Sequence, residues 1–298
     1  MARLESKAVM GYLPIEERHY PVLFSLVASA TSAHRLLDPF AGEGAFLEAA
    51  AKRWQVTPYA NELDGNRAEQ CLQRFGVRQA VRCDVERLIA SNNAFSIGWF
   101  NPPYDHDATA SGSKRVEFRY LRHSWKWIQE GGIVMWCVYR THLTGEAAAF
   151  LSKNSTQVDV WALPGKHLGQ YDQVVVVAIK GLQPDPDALY EQILSQKAQP
   201  RVLEVQPEPL YRLPPAPDKS RRFVFAPDVI DEEQGLRLIE AQGAWQTNGF
   251  LREQHRSGFL FSGAQEWTEG DPARGLQRLR RDLQRGHLLH GGADAALL

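Results

Sequence analysis

The stretch RLLDPFAGEGAFLEAAAKRW, residues 35–54, opens on a short apolar run, turns through two glycines and runs on into a segment of helical length. Gly42 and Gly44 let the backbone bend sharply and come close to a ligand. The carboxylate of Asp38, at the end of the strand RLLDP (35–39), can accept from an ammonium or hydroxyl donor. A strand, a glycine turn and a helix over 45–54 make the entry to a βαβ unit. An ordinary tight turn would use the same glycines, and only residues further along the chain separate the two.

Outward from this stretch, residues 34 to about 180 alternate β-branched runs with amphipathic segments, the pattern of parallel strands joined by crossover helices. Strands are expected at 57–63, 79–84, 95–101, 132–139, 156–163 and 173–180. Helices are expected at 64–75, capped by Asp64, and at 115–130. The last two strands are separated by only about nine residues, too few for a helical crossover, so they should pair antiparallel. The fold class is therefore α/β: a seven-stranded mixed sheet with helices on both faces and an antiparallel last strand.

Composition bounds the classes open to the chain. Its 298 residues are 44% hydrophobic and 23% charged, with 34 basic against 35 acidic side chains, which excludes a disordered or collagen-like protein. Three cysteines (Cys71, Cys83, Cys137) form no CxxC pair, give no zinc signature and suit a reducing compartment, so the cytoplasm is the expected location and no metal site is expected. The longest apolar runs, 133–139 and 174–179, fall well short of the roughly 20 residues that span a bilayer, and no signal core opens the chain. Three segments are expected: a main domain over 1–180, a Pro-rich linker over 181–218 holding eight of the 17 prolines, and a small C-terminal region over 219–298. A short helix at 187–196 interrupts the linker, and 231–242 and 273–285 read as helical. The C-terminal region is assigned to substrate or partner binding.

Two further strand ends carry acids. Glu62 ends the second strand in Asn61-Glu62-Leu63-Asp64, where its two oxygens can accept both hydroxyls of a ribose. Asp84, followed by Val85, ends the third and can accept from an exocyclic adenine amine. Each alone is a plain solvated acid; three in order after a Gly-rich turn form the line a bound nucleoside needs.

The fourth strand ends in Asn101-Pro102-Pro103-Tyr104. Two prolines fix the backbone. The Asn101 side-chain oxygen and the Pro102 carbonyl then converge as two acceptors for the two hydrogens of a planar NH2 group, on which Tyr104 can stack. Such an amine is a poor nucleophile because its lone pair is delocalised, and two acceptors help it pyramidalise and attack an electrophilic carbon without a strong general base.

Taken together, Asp38-Pro39-Phe40-Ala41-Gly42-Glu43-Gly44, Glu62, Asp84 and Asn101-Pro102-Pro103-Tyr104 resemble the class I S-adenosylmethionine-dependent amino-methyltransferases, specifically the N6-adenine branch. The resemblance covers about residues 11 to 180 and implies the Rossmann-like methyltransferase fold. It implies S-adenosyl-L-methionine as cofactor, with Asp38 and the Gly42 and Gly44 backbone holding the methionine part, Glu62 the ribose and Asp84 the adenine, with Phe40, Ala41, Leu63 and Val85 as further cofactor contacts and Asn101 shared with the catalytic motif. Glu43 stands where many relatives carry a small residue. Gly11-Tyr12-Leu13-Pro14 resembles the N-terminal segment that covers the cofactor in some relatives, with Tyr12 and Pro14 as contacts; a surface loop packed on a core would read the same way.

The polar loop 105–113, containing His106 between two acids, reads as a lid and not as a metal or acid–base cluster. Arg115, Arg119, Arg122 and Lys126 recur on one face of the helix expected at 115–130, with Tyr120, Leu121 and Ile128 toward the core. Arg274, Arg278, Arg281 and Arg285 repeat the spacing. Such stripes suit a phosphate backbone, although two solvated helix faces would look alike. Trp99, Trp125 and Trp127 read as core packing sooner than as base platforms. The expected partner is nucleic acid, DNA before RNA, with a partner subunit supplying sequence recognition and no membrane. Two rivals remain open: a protein glutamine N5-methyltransferase using the same four residues, and a cofactor-binding but inactive subunit of a nucleic-acid-modifying complex.

Overall fold

Strand-forming residues whose successive side chains go to opposite faces build a sheet that is buried on both sides, and alternation within the strands divides the core in two. Leu36, Ile97, Met135, Val175 and Val177 join one apolar cluster; Leu37, Val134, Trp136, Val174 and Val176 join the other. The computed structural model describes residues 13–104, 115–165, 172–218 and 222–229.

In chain order the elements are α1 (Tyr20–Ser25), β1 (Arg35–Asp38), α2 (Ala45–Trp54), β2 (Thr57–Glu62), α3 (Gly65–Phe75), β3 (Ala80–Arg82), β4 (Leu88–Ala90) and β5 (Phe95–Phe100). They continue with α4 (Val116–Ser124), β6 (Ile128–Tyr139), α5 (Gly145–Asn154), β7 (Ser155–Ala162), β8 (Gln173–Lys180), α6 (Pro186–Ala198), β9 (Arg201–Val202) and β10 (Phe225–Pro227). The main sheet has eight strands in the order β3-β2-β1-β5-β6-β8-β7-β9. β1, β2, β3, β5 and β6 run parallel, and β8 pairs antiparallel with both β6 and β7, as the short connection between the last two expected strands requires. Residues of α1 and α2 pack into the first cluster, those of α4, α5 and α6 into the second.

The α/β class and the mixed sheet stand as expected, with β9 as an eighth strand added parallel to β7. Three expectations change. The helix expected over 115–130 ends at Ser124: Trp125–Trp127 form a 3-10 turn and Ile128 already pairs with Phe95, so β6 begins four residues before the expected 132. Burial of Trp125 and Trp127, at 6% and 1% exposure, drives the break, because two indoles two residues apart cannot both reach the core from a regular helix.

The stretch 181–218 is no linker. Asp185 caps α6, whose Leu189 and Ile193 are buried, and Leu203 and Tyr211 sink into the first cluster. Pro186 sits in the first turn of α6, and the other prolines here lie at bends and in irregular chain outside helices and strands, where no ladder or helical donor is required. A second, two-stranded sheet forms where β10 pairs antiparallel with β4, and Phe223 and Phe225 close edge-on against Tyr59 and Phe95. The chain divides between Asp228 and Val229 instead of at 218. The helices expected at 231–242 and 273–285, with the second arginine stripe, lie outside the described residues.

Candidate active site

The carboxyl ends of parallel β1, β2, β3 and β5 lie side by side, which brings Asp38, Glu62, Cys83-Asp84 and Asn101 to one edge of the sheet. This is where open α/β sheets bind ligands. One cleft there is lined by Pro39, Phe40, Asn61, Glu62, Leu63 and Arg67, and by Cys83, Asp84, Val85, Asn101, Pro103 and Tyr120.

Gly42 and Gly44 take φ of 56° and 79°, the left-handed region that glycine enters without penalty. Gly44 is the N-cap of α2, and a Cβ there would stand 2.8 Å from the Phe75 ring. Gly44→Ala is therefore expected to lose roughly 1–2 kcal/mol of stability from the backbone alone, measured by denaturant unfolding, and to weaken ligand binding at the turn.

Asp38 is 2% exposed, and its Oδ1 accepts from the Phe40 N–H at 3.0 Å. Burial pushes its carboxyl well above the ordinary range. An ammonium placed beside it would draw it back. Glu62 is held from three sides: Gly42 N–H donates to Oε2 at 2.8 Å, Asp64 N–H to Oε1 at 2.9 Å, and the Arg67 guanidinium to Oε1 at 3.0 Å. Arg67 Nε also donates to Oε1, at 3.3 Å, so Oε1 meets three donors and Oε2 one, and Oε2 is the oxygen left to accept from a hydroxyl. Asp84 caps the 3-10 turn 85–87 through the Glu86 N–H.

Asn61 ties these ends together. Its Nδ2 donates to the carbonyls of Pro39 and Cys83, and its Oδ1 accepts from the Cys83 N–H at 3.2 Å, so one buried side chain spaces the three acids. Burial pushes the Cys83 thiol up to about 12, leaving it neutral on the cleft wall.

At the end of β5, Asn101 Nδ2 donates to the Leu13 carbonyl at 2.8 Å, which brings the N-terminal segment to the Asn-Pro-Pro-Tyr turn. Asn101 Oδ1 accepts from the Tyr104 hydroxyl at 3.1 Å, and Gln173 Nε2 donates to that hydroxyl at 2.8 Å. Burial pushes the Tyr104 phenol well up, so it stays a neutral donor. One side of its ring is covered by Tyr139, with centroids 4.3 Å apart. Pro102 is buried and Pro103 is at the cleft rim.

Of the other expected site residues, Phe40, Leu63 and Val85 line the cleft, Ala41 is buried in the turn, and Pro14 is exposed next to Leu13. Tyr12 and the loop 105–113 lie outside the described residues. The basic stripe is not one helix face. Arg115 is the N-cap of α4, Arg119 and Arg122 lie on the helix, and Lys126 lies beyond its end in the 3-10 turn. Arg119 is paired with Glu86 at 3.1 Å, and both are about two-fifths exposed. Trp99, Trp125 and Trp127 belong to the core; Trp99 stacks on Phe46 at 4.1 Å.

Reading the sequence missed Arg67, Asn61 and Tyr120. Tyr120, expected in the core, stands against Phe40 with ring centroids 5.3 Å apart and walls the cleft. Its position three residues after Glu117 on a helix gave no sign of which neighbour it would meet.

This sheet order, with acids and a glycine turn along the strand ends, is the Rossmann-like fold of the methyltransferases. Residues 1–215 match the family described as "Uncharacterised methyltransferase family (DUF6094)", and the chain belongs to it. None of the curated proteins compared matches it. Among solved structures, it is similar to a protein of Listeria monocytogenes described as a class I S-adenosylmethionine-dependent methyltransferase. That pair is 12% identical with a TM-score of 0.45, over 62% of this chain and 73% of that one. A type I restriction-modification methyltransferase subunit from Streptococcus thermophilus is 15% identical with a TM-score of 0.46, over 63% of this chain and 53% of its own. TYW2 of M. jannaschii, crystallised in complex with AdoMet, is 13% identical with a TM-score of 0.41, over 57% and 79%. Among the described residues no helix is long and apolar enough to cross a membrane.

Proposed function

We propose that the chain is an S-adenosylmethionine-dependent methyltransferase acting on the N6 amine of adenine in nucleic acid, DNA before RNA. The observation that carries the reading is the set of Asn101. Its nitrogen is spent on the Leu13 carbonyl, so its oxygen is the end turned to the Tyr104 hydroxyl, at the rim of a cleft it lines.

The residues fit the cofactor. A buried Asp38 suits the amino group of its methionine part, Glu62 the ribose, and the wall of Phe40, Leu63, Val85 and Tyr120 an adenine ring with Asp84 at its edge. Bound there, the cofactor supplies an activated methyl group. The chain's own part is to hold the acceptor amine: in this reading Asn101 Oδ1 and the Pro102 carbonyl accept its hydrogens as the nitrogen becomes tetrahedral and stabilise the positive charge that develops there. An adenine in a duplex must leave the stack to reach this edge. Asp38 sets a pH dependence: cofactor affinity rises as Asp38 loses its proton, and Asp38→Asn flattens that rise.

Arg115, Arg119 and Arg122 fit a phosphate backbone beside the cleft, and a partner subunit is the proposed source of sequence recognition. Arg115→Glu with Arg119→Glu is expected to weaken DNA binding and to lower the slope of log affinity against log salt by about 2, one for each phosphate no longer neutralised. An unchanged slope, read by fluorescence anisotropy across salt, removes α4 from the interface. The function itself is tested by methyl transfer to unmodified DNA, RNA and protein with nucleoside analysis of the product; N6-methyladenine is expected, and label in glutamine contradicts it.

A further inference from the structure

A second cluster of polar and aromatic groups stands next to the Asn101 turn. Glu117, in the first turn of α4, is wholly buried, and its Oε1 lies 2.9 Å from Nδ1 of His142. Among the described residues no donor reaches its Oε2. Burying a carboxylate with one oxygen unsatisfied carries a cost that leucine at the same place would avoid, so a packing role alone does not account for it. His142 follows β6 in a 3-10 turn and meets Tyr139 edge-on, with centroids 5.1 Å apart and planes at 83°. Tyr139 covers Tyr104, and the Tyr104 hydroxyl donates to Asn101 Oδ1. β5 and β6 are neighbouring parallel strands, so their carboxyl ends, which carry Asn101 and Tyr139, open on the same edge of the sheet.

We infer that Glu117 and His142 are positioning residues for the acceptor site: the buried carboxylate fixes the imidazole, the imidazole fixes Tyr139, and Tyr139 fixes the Tyr104 ring and with it the direction of the Asn101 oxygen. The inference rests on the reading of Asn101 as the amine-holding group. It places the Glu117 carboxyl group where it aims an aromatic ring, a use for which hydrogen-bond direction matters more than apolar fit. Gln173, at the start of β8, holds the same Tyr104 hydroxyl from the opposite strand. Neither Glu117 nor His142 lines the cleft that Glu62, Asp84 and Tyr120 form, so cofactor binding and acceptor positioning separate.

The test uses the full chain with His142→Ala, Glu117→Leu and the conservative Glu117→Gln, and reads kcat, KM for the acceptor, cofactor Kd by calorimetry and melting temperature. A displacement of about 1 Å at a reacting group costs on the order of 100-fold in rate. The expected result is a fall in kcat of about 10- to 100-fold for His142→Ala and Glu117→Leu, with cofactor Kd within about twofold. Glu117→Gln, which keeps an oxygen for the imidazole, should recover kcat to within about threefold of the parent. Should Glu117→Leu fail to fold, His142→Ala with Glu117→Gln still gives the comparison. An unchanged kcat in His142→Ala, a cofactor affinity that falls in step with kcat, or a Glu117→Gln no better than His142→Ala overturns the inference. Parent protein active on DNA with all variants equal removes the inference alone. A parent that labels protein instead removes the adenine reading, and the same split is then read on that acceptor. A parent silent on all acceptors removes both.

Discussion

Asn101→Ala is expected to lower methyl transfer at saturating cofactor by at least about 100- to 1,000-fold, the usual effect of removing one preorganised group aimed at developing charge. Cofactor Kd should change less than about threefold, since Asn101 is one of twelve groups on the cleft wall and the acids at the other strand ends stay in place. Asn101→Asp sharpens the comparison. It keeps the shape and the acceptor oxygens but loses the donor that Leu13 accepts, and it puts a charge beside the Tyr104 hydroxyl, so it should not restore activity. Single-turnover kinetics with calorimetric Kd separates the two quantities. Equal losses in rate and affinity would make Asn101 a cofactor-binding residue and leave the amine without its proposed holder.

Glu62→Ala should do the reverse. The carboxylate that would take the ribose hydroxyls also anchors the Gly42 N–H and the Arg67 guanidinium, whose side chain is only 13% exposed. Truncation loses a charge-assisted hydrogen bond worth about 1–3 kcal/mol, so cofactor Kd should rise about 5- to 150-fold. Turnover at saturating cofactor should be nearly unaffected. Glu62→Gln, which keeps acceptor geometry at Oε1, should fall between Glu62→Ala and the parent. Calorimetric titration across the three proteins checks the order, and a Glu62→Ala protein that binds as tightly as the parent would take the ribose away from β2.

How far the sequence foretold this depends on whether an element is set locally. The glycine turn at 42–44, the Asp64 cap and the antiparallel β7–β8 pair follow from φ, a side-chain oxygen and a connection too short for a helix. The order of Asp38, Glu62, Asp84 and Asn101 along one edge follows once the strands are parallel. Residues whose meaning lies in a distant partner were illegible. Asn61 reads as a polar strand residue until it spans Pro39 and Cys83, and Glu117 as a solvated first-turn acid until it meets His142. Tyr211 is far along a proline-rich stretch, yet its backbone pairs with Val27 and its hydroxyl donates to Asp159. Proline there marked the absence of donors, not the absence of packing. The end of α4 at Ser124 was hidden for a different reason: the charge period continued to Lys126 while burial of two tryptophans ended the helix.

The most direct test is transfer of radiolabelled methyl from S-adenosylmethionine to unmodified DNA, total RNA and a cell protein extract, with Asn101→Ala alongside and the product digested to nucleosides and amino acids. The predicted result is label as N6-methyladenine in DNA with the parent protein and none with Asn101→Ala. Label in glutamine, or label that persists in Asn101→Ala, would contradict an Asn101-held adenine amine as the methyl acceptor.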